Sequence, residues 1–288
     1  MLNYILILFA DVFLAVNSLA QKKYQSSCGT ALVSSLEFSM VSGAVSAAVF
    51  FVLCGFSPRI TAYSAVMALC QTVCCLSYLC ISFVILKKST LALYSSFLMI
   101  GGMLLPYIYG IIFLDEMLTA PRTIGIVLIM LALILFNLQK GKVSRQLLLL
   151  LLAVFLLNGC VSIISKKHQI NTELAVGTND FVFLTSFFKV LICIPIYLIL
   201  KTKKKTSFHI KSRLVFGITV VSGLASAISY LLQLTGAKGI AASILYPMVT
   251  GGSIILTALS GRIILDERLS RMQKTAIGLC TAGTLLFL

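Results

Sequence analysis

The chain has 288 residues, of which 59% are hydrophobic and 11% charged, and its formal charge is +15. Soluble globular domains carry charge on about a quarter of their residues, so the composition excludes an ordinary aqueous enzyme. It equally excludes a folded nucleic-acid-binding domain, because the basic residues belong to short connections and not to an aqueous fold.

In chain order, ten apolar runs can be marked off at 3–21, 30–54, 61–86, 89–114, 120–138, 146–165, 180–200, 213–236, 240–264 and 272–288. Each is near or above the length that crosses a hydrocarbon core of about 30 Å as a helix. A spanning segment must satisfy its backbone hydrogen bonds internally, and the runs lack the alternation of an outer-membrane barrel, so an all-α membrane protein with ten transmembrane helices is predicted. The first run has no basic residue before it and is followed by further runs, so it is expected to be a retained helix and not a cleaved signal. Positive charge gathers at 140–145 and 201–205, where it suits anchoring against anionic lipid. Cys70 and Cys74 share a helical face without a neighbouring histidine, which suits small-residue packing better than a metal site. His168 and His209 are expected in loops, and no cofactor is implied.

The text repeats. Lys22, Lys23 and Gln25 recur as Lys166, Lys167 and Gln169, a shift of 144. Ser77, Tyr78, Leu79 and Tyr94 recur as Ser229, Tyr230, Leu231 and Tyr246, a shift of 152. Gly101 and Gly102 match Gly251 and Gly252 after a small slip, and Gly110, Leu114, Asp115, Glu116, Leu118 and Thr119 match Gly261, Leu265, Asp266, Glu267, Leu269 and Ser270. Two units follow, 1–143 and 144–288, each of five helices. An odd number makes the second unit enter the membrane from the opposite side, and such inverted repeats are a common architecture of secondary transporters.

These matches resemble the drug/metabolite transporter superfamily of the EamA type, whose halves end in Gly-x-x-x-Leu-x-Glu-x-Leu-Thr/Ser before a glycine-bearing last helix. The resemblance covers the whole chain. Leu14, Ala15, Val16 and Asn17 also resemble the family's Trp-Gly-x-Asn, with Asn17 retained and the tryptophan and glycine replaced. Glu37 precedes Phe38 where many relatives carry arginine. The resemblance implies that helices 1–4 and 6–9 surround a cavity which helices 5 and 10 buttress.

The acid pairs Asp115/Glu116 and Asp266/Glu267 are expected to be structural. They precede helices 5 and 10, where carboxylates favour the positive end and Thr119 or Ser270 can cap free amides; Ser270 and Gln273 have capping-box spacing. Ionisable residues inside apolar runs are costly and usually face the bundle interior, which singles out Asp11, Glu37 and Lys189. Glu37 and Lys189 are 152 apart, the repeat shift, so an acid and a base occupy equivalent positions. They are expected to face each other across a central cavity and to exchange partners with solute or proton, or else to form a permanent ion pair. Ser35, Ser39, Ser42 and Ser46 form a stripe roughly opposite Glu37, suited to packing another helix. Burial disfavours the charged form of a carboxyl, which makes Asp11 or Glu37 a candidate proton carrier. Asp11 has no charged counterpart, because Phe155 aligns with it. Counting one more acid than base points to a cationic or zwitterionic solute.

Tyr78, Tyr230, Tyr94 and Tyr246 can present ring faces and hydroxyls to a solute, or serve as core and interfacial anchors. Asn17, Gln71, Asn158 and Gln233 are further lining candidates, and Pro247 frees a backbone carbonyl. Basic residues crowd the odd-numbered connections, which by the positive-inside rule puts both termini outside, whereas the resemblance implies cytoplasmic termini. The expected function is a secondary carrier, an exporter, of a small metabolite, amino acid or drug-like solute in the plasma membrane. Protons are a candidate coupling ion, membrane lipid is a partner, nucleic acid is not, and a monomer is expected. An intramembrane enzyme and a non-transporting sensor or assembly subunit are the alternatives.

Overall fold

The computed structural model describes residues 2–29, 32–86, 91–117, 119–136, 144–204, 212–237, 240–264 and 271–287. Among the described residues there are ten α-helices and no strands: α1 (Leu2–Cys28), α2 (Leu32–Leu53), α3 (Ala62–Leu86), α4 (Leu91–Phe113), α5 (Ala120–Phe136), α6 (Arg145–Ile170), α7 (Thr178–Lys204), α8 (Arg213–Ala237), α9 (Ala242–Ile264) and α10 (Arg271–Leu285). Each apolar run corresponds to one helix. The ends differ where the backbone ladder continues past the apolar text. As a result His168, expected in a loop, lies in the last turn of α6, and Lys22, Lys23, Lys166 and Lys167, expected in connections, are helical too. His209 lies outside the described residues.

Six helices, α1, α2, α3, α6, α7 and α8, are long and apolar enough to cross a membrane. The burial pattern agrees with a membrane protein. Ser34, Ser39, Ser42, Ser46, Thr219, Ser222 and Ser229 are buried between helices, while Leu149, Leu156, Leu191, Leu198 and Val221 face outward. Small hydroxyl residues let helices approach closely, and an outward apolar surface suits lipid.

Helix ends follow local backbone chemistry. At the end of α2 the Gly55 N–H donates to the Val52 carbonyl (2.9 Å) and the Phe56 N–H to the Phe51 carbonyl (3.0 Å). This is a Schellman stop, and it needs the φ of +64° that Gly55 supplies. Ser144 caps α6 by accepting from the Leu147 N–H (3.2 Å).

α1 packs on α8 and α9, and α6 packs on α3 and α4. α2 contacts α7 and α8, while α7 contacts α2 and α3. α5 lies along α10, and α4 lies along α9. One apolar cluster joins α1, α4, α5, α9 and α10 through Ile7, Met103, Ile129, Met248 and Cys280. Another joins α2, α3, α7 and α8 through Phe50, Ala68, Phe181 and Ala227.

The α4–α6 contact is a close one. A Cβ on Gly101 would fall on the Phe155 carbonyl, and one on Gly159 would fall on Leu105. Pro106 cannot donate to the carbonyl four residues back, that of Gly102, and the Ser162 hydroxyl donates to it instead (3.1 Å). Asn158 adds a bond from Nδ2 to the Leu98 carbonyl (2.7 Å).

Candidate functional site

The Leu-Asp-Glu text of the first half builds a clamp between helices. Asp115 turns the chain with φ of 52°, a left-handed conformation that aspartate tolerates, and the Glu116 N–H returns to the Gly110 carbonyl (3.1 Å). The Glu116 carboxylate then lies back over Gly110, so that a Cβ at Gly110 would collide with it. That placement explains why the motif opens on glycine. The carboxylate does not cap α5, as its position in the sequence suggests. It accepts the Ala242 N–H (2.6 Å) and the Ser243 N–H (2.7 Å), and so caps the first turn of α9. The Thr119 carbonyl, meanwhile, accepts both the N–H and the hydroxyl of Thr123. Beside this cap, buried Lys166 donates from Nζ to the carbonyls of Ala237 (3.2 Å) and Ile240 (2.7 Å) at the end of α8. Asp266, Glu267 and Ser270 lie outside the described residues.

The four tyrosines come from α3, α4, α8 and α9 and form a chain through the interior. Tyr94 and Tyr78 share one cluster, and the Tyr78 hydroxyl stands against the Cys75 thiol. Tyr230 is also close to Cys75, and Tyr246 is close to Tyr230. Polar partners fix the second pair. Gln71 Nε2 donates to the Tyr230 hydroxyl (2.6 Å), Ser165 Oγ donates to Gln71 Oε1 (3.0 Å), and the Ser165 and Tyr230 hydroxyls are 3.1 Å apart. The Tyr246 hydroxyl donates to the Ser162 carbonyl. Cys75 lies among Tyr78, Tyr94 and Tyr230. Its spacing from Gln71 and Tyr78, four and three residues along α3, places all three on one helical face.

Glu37 and Lys189 do not meet. α2 and α7 run antiparallel, with Glu37 against Tyr197, Gly43 against the stem of Lys189, and Ser46 bonded to Ser186 (2.7 Å). The two strings of neighbours cross near Met40 and Ile192, which share a cluster. Glu37 and Lys189 each stand three residues from that crossing, on opposite sides of it. Six residues of helix rise is about 9 Å, which is why equivalent positions are not adjacent ones. The serine stripe does not stand apart from Glu37 as expected: Ser46 meets α7, the helix that Glu37 also faces, while Ser42 lies against Gly223 of α8.

Lys189 lies one turn beyond Thr185 on α7, whose carbonyl accepts the Thr72 hydroxyl of α3 (3.3 Å). The next turn of α3 brings Cys75 beside Lys189, and Leu76 packs with Cys193. Lys189 therefore joins the tyrosine group at Cys75. Among the described residues its ammonium has no ion pair or hydrogen bond.

Asp11 is fully buried, and neither of its carboxylate oxygens has a hydrogen-bond partner among the described residues. It is pressed against Gly252 of α9, where a Cβ would collide with Oδ2. Asn17 accepts from the Ser222 hydroxyl and so clasps α1 to α8 instead of joining the tyrosines. Gln233 donates to Ser229 Oγ (3.1 Å), and that hydroxyl in turn donates to the Ala10 carbonyl (2.7 Å).

At the helix ends a further polar group closes the α2–α3 and α6–α7 connections. His168 is buried and stacked on Phe181 (3.7 Å between centroids), with Nε2 2.9 Å from Ser64 Oγ. An open cavity of about 420 Å³ nearby is lined by Tyr63, Tyr109, Lys167, Asn171 and Glu173 among others, and by none of the predicted site residues. Asp180 accepts the Arg59 N–H (2.9 Å), and burial together with that carboxylate pushes the Cys54 thiol up to about 11. A thiol with a raised value holds less thiolate at neutral pH, so a protein retaining only Cys54 is expected to react slowly with maleimide at pH 7 and progressively faster as pH approaches 11. Stopped-flow or mass-shift labelling reads this directly, and Asp180→Asn is expected to bring the rise to lower pH.

No family model matches the chain. No curated protein matches it either. Among solved structures, a crystal structure of a protein aligns over 99% of this chain and 95% of its own length, with a TM-score of 0.75 and 13% sequence identity. The likeness at that identity shows the fold alone, an arrangement of helices that a very different sequence shares.

Proposed function

We propose that the chain is a secondary carrier of a small solute working by alternating access, built as two inverted five-helix units, 1–143 and 144–288, in the manner of the EamA-type drug/metabolite transporters it resembles. The observation that carries this reading is the pattern of helix partners. Exchanging α1–α5 for α6–α10 turns the α1–α8 contact into α6–α3, α1–α9 into α6–α4 and α2–α8 into α7–α3, while α2–α7, α5–α10 and α4–α9 map onto themselves. A pseudo-two-fold relation between units of opposite orientation lets the contacts that close one side recur as those that close the other. Local detail supports the same pairing. Gly252 of α9 meets Asp11 of α1 and Gly101 of α4 meets Phe155 of α6, and Asp11 and Phe155 are positions that the repeat aligns. Along the line where the units meet lie Lys189, Cys75 and the paired tyrosines, with Glu37 and Asp11 at its margins.

The test is counterflow of a solute panel in proteoliposomes, with and without a pH gradient. Saturable exchange supports the carrier. Chemical conversion of a solute would support an intramembrane enzyme, and a panel spanning anions, cations and neutral metabolites that neither exchanges nor reacts would defeat the carrier. In this reading the exporter sits in the plasma membrane. Labelling of single cysteines at residues 205–210 in intact cells decides which side carries the termini.

Asp11 is the group proposed to carry the coupled proton. An acid without a partner in a packed helix seam is costly when charged, so its charge state is tied to what occupies the interior. Asp11→Asn keeps the shape and removes the titration. The variant is expected to keep wild-type thermal stability in detergent and to lose the response of flux to an imposed pH gradient. A variant that still accumulates solute against a gradient in response to ΔpH excludes Asp11 from this role.

A further inference from the structure

Lys189 is the eleventh residue after Thr178 and the fifteenth before Lys204, which puts about 16 Å and 22 Å of helix between it and the two ends of α7. A lysine side chain reaches far less than that, so its ammonium cannot snorkel to either surface. Its stem is laid against Gly43, where a Cβ would stand 3.4 Å from Cδ, and no ion pair or hydrogen bond holds its head among the described residues. The nearest acid on the facing helix, Glu37, lies about 9 Å of rise away and stands against Tyr197. Asp11 is in another seam, against Gly252 of α9. Cys75 and Cys193 lie close enough to the ammonium to feel its charge, and on the far side of Cys75 are the Tyr78, Tyr94 and Tyr230 side chains.

A cation at mid-helix without a protein counter-charge repels cations and offers an unfilled site to an anion. Tyrosine adds hydroxyl donors suited to an oxyanion and ring faces suited to an apolar body. We propose that the solute is an organic anion of the carboxylate class with an apolar or aromatic body. Its carboxylate is bound by Lys189 with help from the Tyr78 hydroxyl, and its body lies against the tyrosine rings. This rests on the carrier reading for the meaning of the site, and it reverses the cationic or zwitterionic preference that a count of buried charges suggests. The count misleads because the two acids and the base lie in three separate places.

The test is equilibrium binding to the purified, detergent-solubilised protein, using matched series of straight-chain and phenyl-substituted carboxylates, their amides and their amines. Carboxylates of at least one body size are expected to bind roughly 10- to 100-fold more tightly than the matched amide or amine, the range of one charge-assisted hydrogen bond. Lys189→Gln is expected to erase that preference, Lys189→Arg to retain part of it, and Tyr78→Phe to reduce it. Amines binding as well as carboxylates, no carboxylate binding at all, or an anion preference surviving in Lys189→Gln would each overturn the proposal. Charge selectivity of the wild type stands even where Lys189→Gln fails to fold. Flux in proteoliposomes separates the two readings: carboxylates that bind without being exchanged leave the anion site standing and defeat the carrier, whereas exchange of amines alone keeps the carrier and defeats the anion site.

Discussion

Gly101→Ala is expected to lower stability by about 2–3 kcal/mol, as seen in a depressed melting temperature in detergent, while Gly252→Ala costs about 1 kcal/mol or less. Both glycines lie in equivalent seams, but what a methyl group meets differs. At Gly101 it meets backbone, the carbonyl, carbon and Cα of Phe155, which cannot move without shifting α6. Displacing α6 also stretches the Ser162 bond to the Gly102 carbonyl and the Asn158 bond to the Leu98 carbonyl. Without Ser162, the carbonyl that Pro106 leaves free has no donor in a medium that supplies no water. At Gly252 the methyl meets the end of the Asp11 side chain, which can rotate. Equal costs, or a larger cost at Gly252, would show that the α4–α6 seam is not set by backbone contact.

Much of the fold was legible in the sequence because lipid imposes a simple rule. Apolar runs of spanning length must be helices; each of the ten runs marked off became a helix, and among the described residues six are long and apolar enough to cross a membrane. The ends were less legible, since hydropathy does not mark where a backbone ladder stops; Lys166 and His168 continue α6 for that reason. In the site, the repeat matched the tyrosines in pairs, and of these the structure bonds Tyr230 to Gln71. It could not tell that Glu37 and Lys189 stand on either side of a crossing at Met40 and Ile192. Sequence equivalence gives a symmetry relation without the distance from the axis. Asn17 and Asn158 serve as clasps between helices, which the sequence does not show, because an amide in an apolar seam satisfies itself on the nearest hydroxyl or carbonyl. The role of Cys75 was hidden because a cysteine on an apolar face carries no signal until its neighbours from α7 and α8 are known.

The second large effect is expected at Glu116. Its carboxylate accepts two backbone N–H groups at the start of α9 and lies near Lys166, whose ammonium holds the end of α8. The α8–α9 junction is thus gripped from both sides, by an anion on its positive helix end and a cation on its carbonyls. Glu116→Ala removes two charge-assisted bonds and leaves the N–H groups of Ala242 and Ser243 without acceptors, for about 2–4 kcal/mol. Glu116→Gln keeps one acceptor oxygen and is expected to cost about half as much. Lys166→Met removes donors from the Ala237 and Ile240 carbonyls, and because both residues act on one junction the double variant is expected to lose less than the sum, with a coupling of about 1 kcal/mol or more. Melting temperatures of the four proteins, checked for two-state unfolding, measure that coupling. Strict additivity would mean that the cap and the lysine stabilise α8 and α9 independently, and that the glutamate of the Leu-Asp-Glu motif belongs to its own hairpin alone.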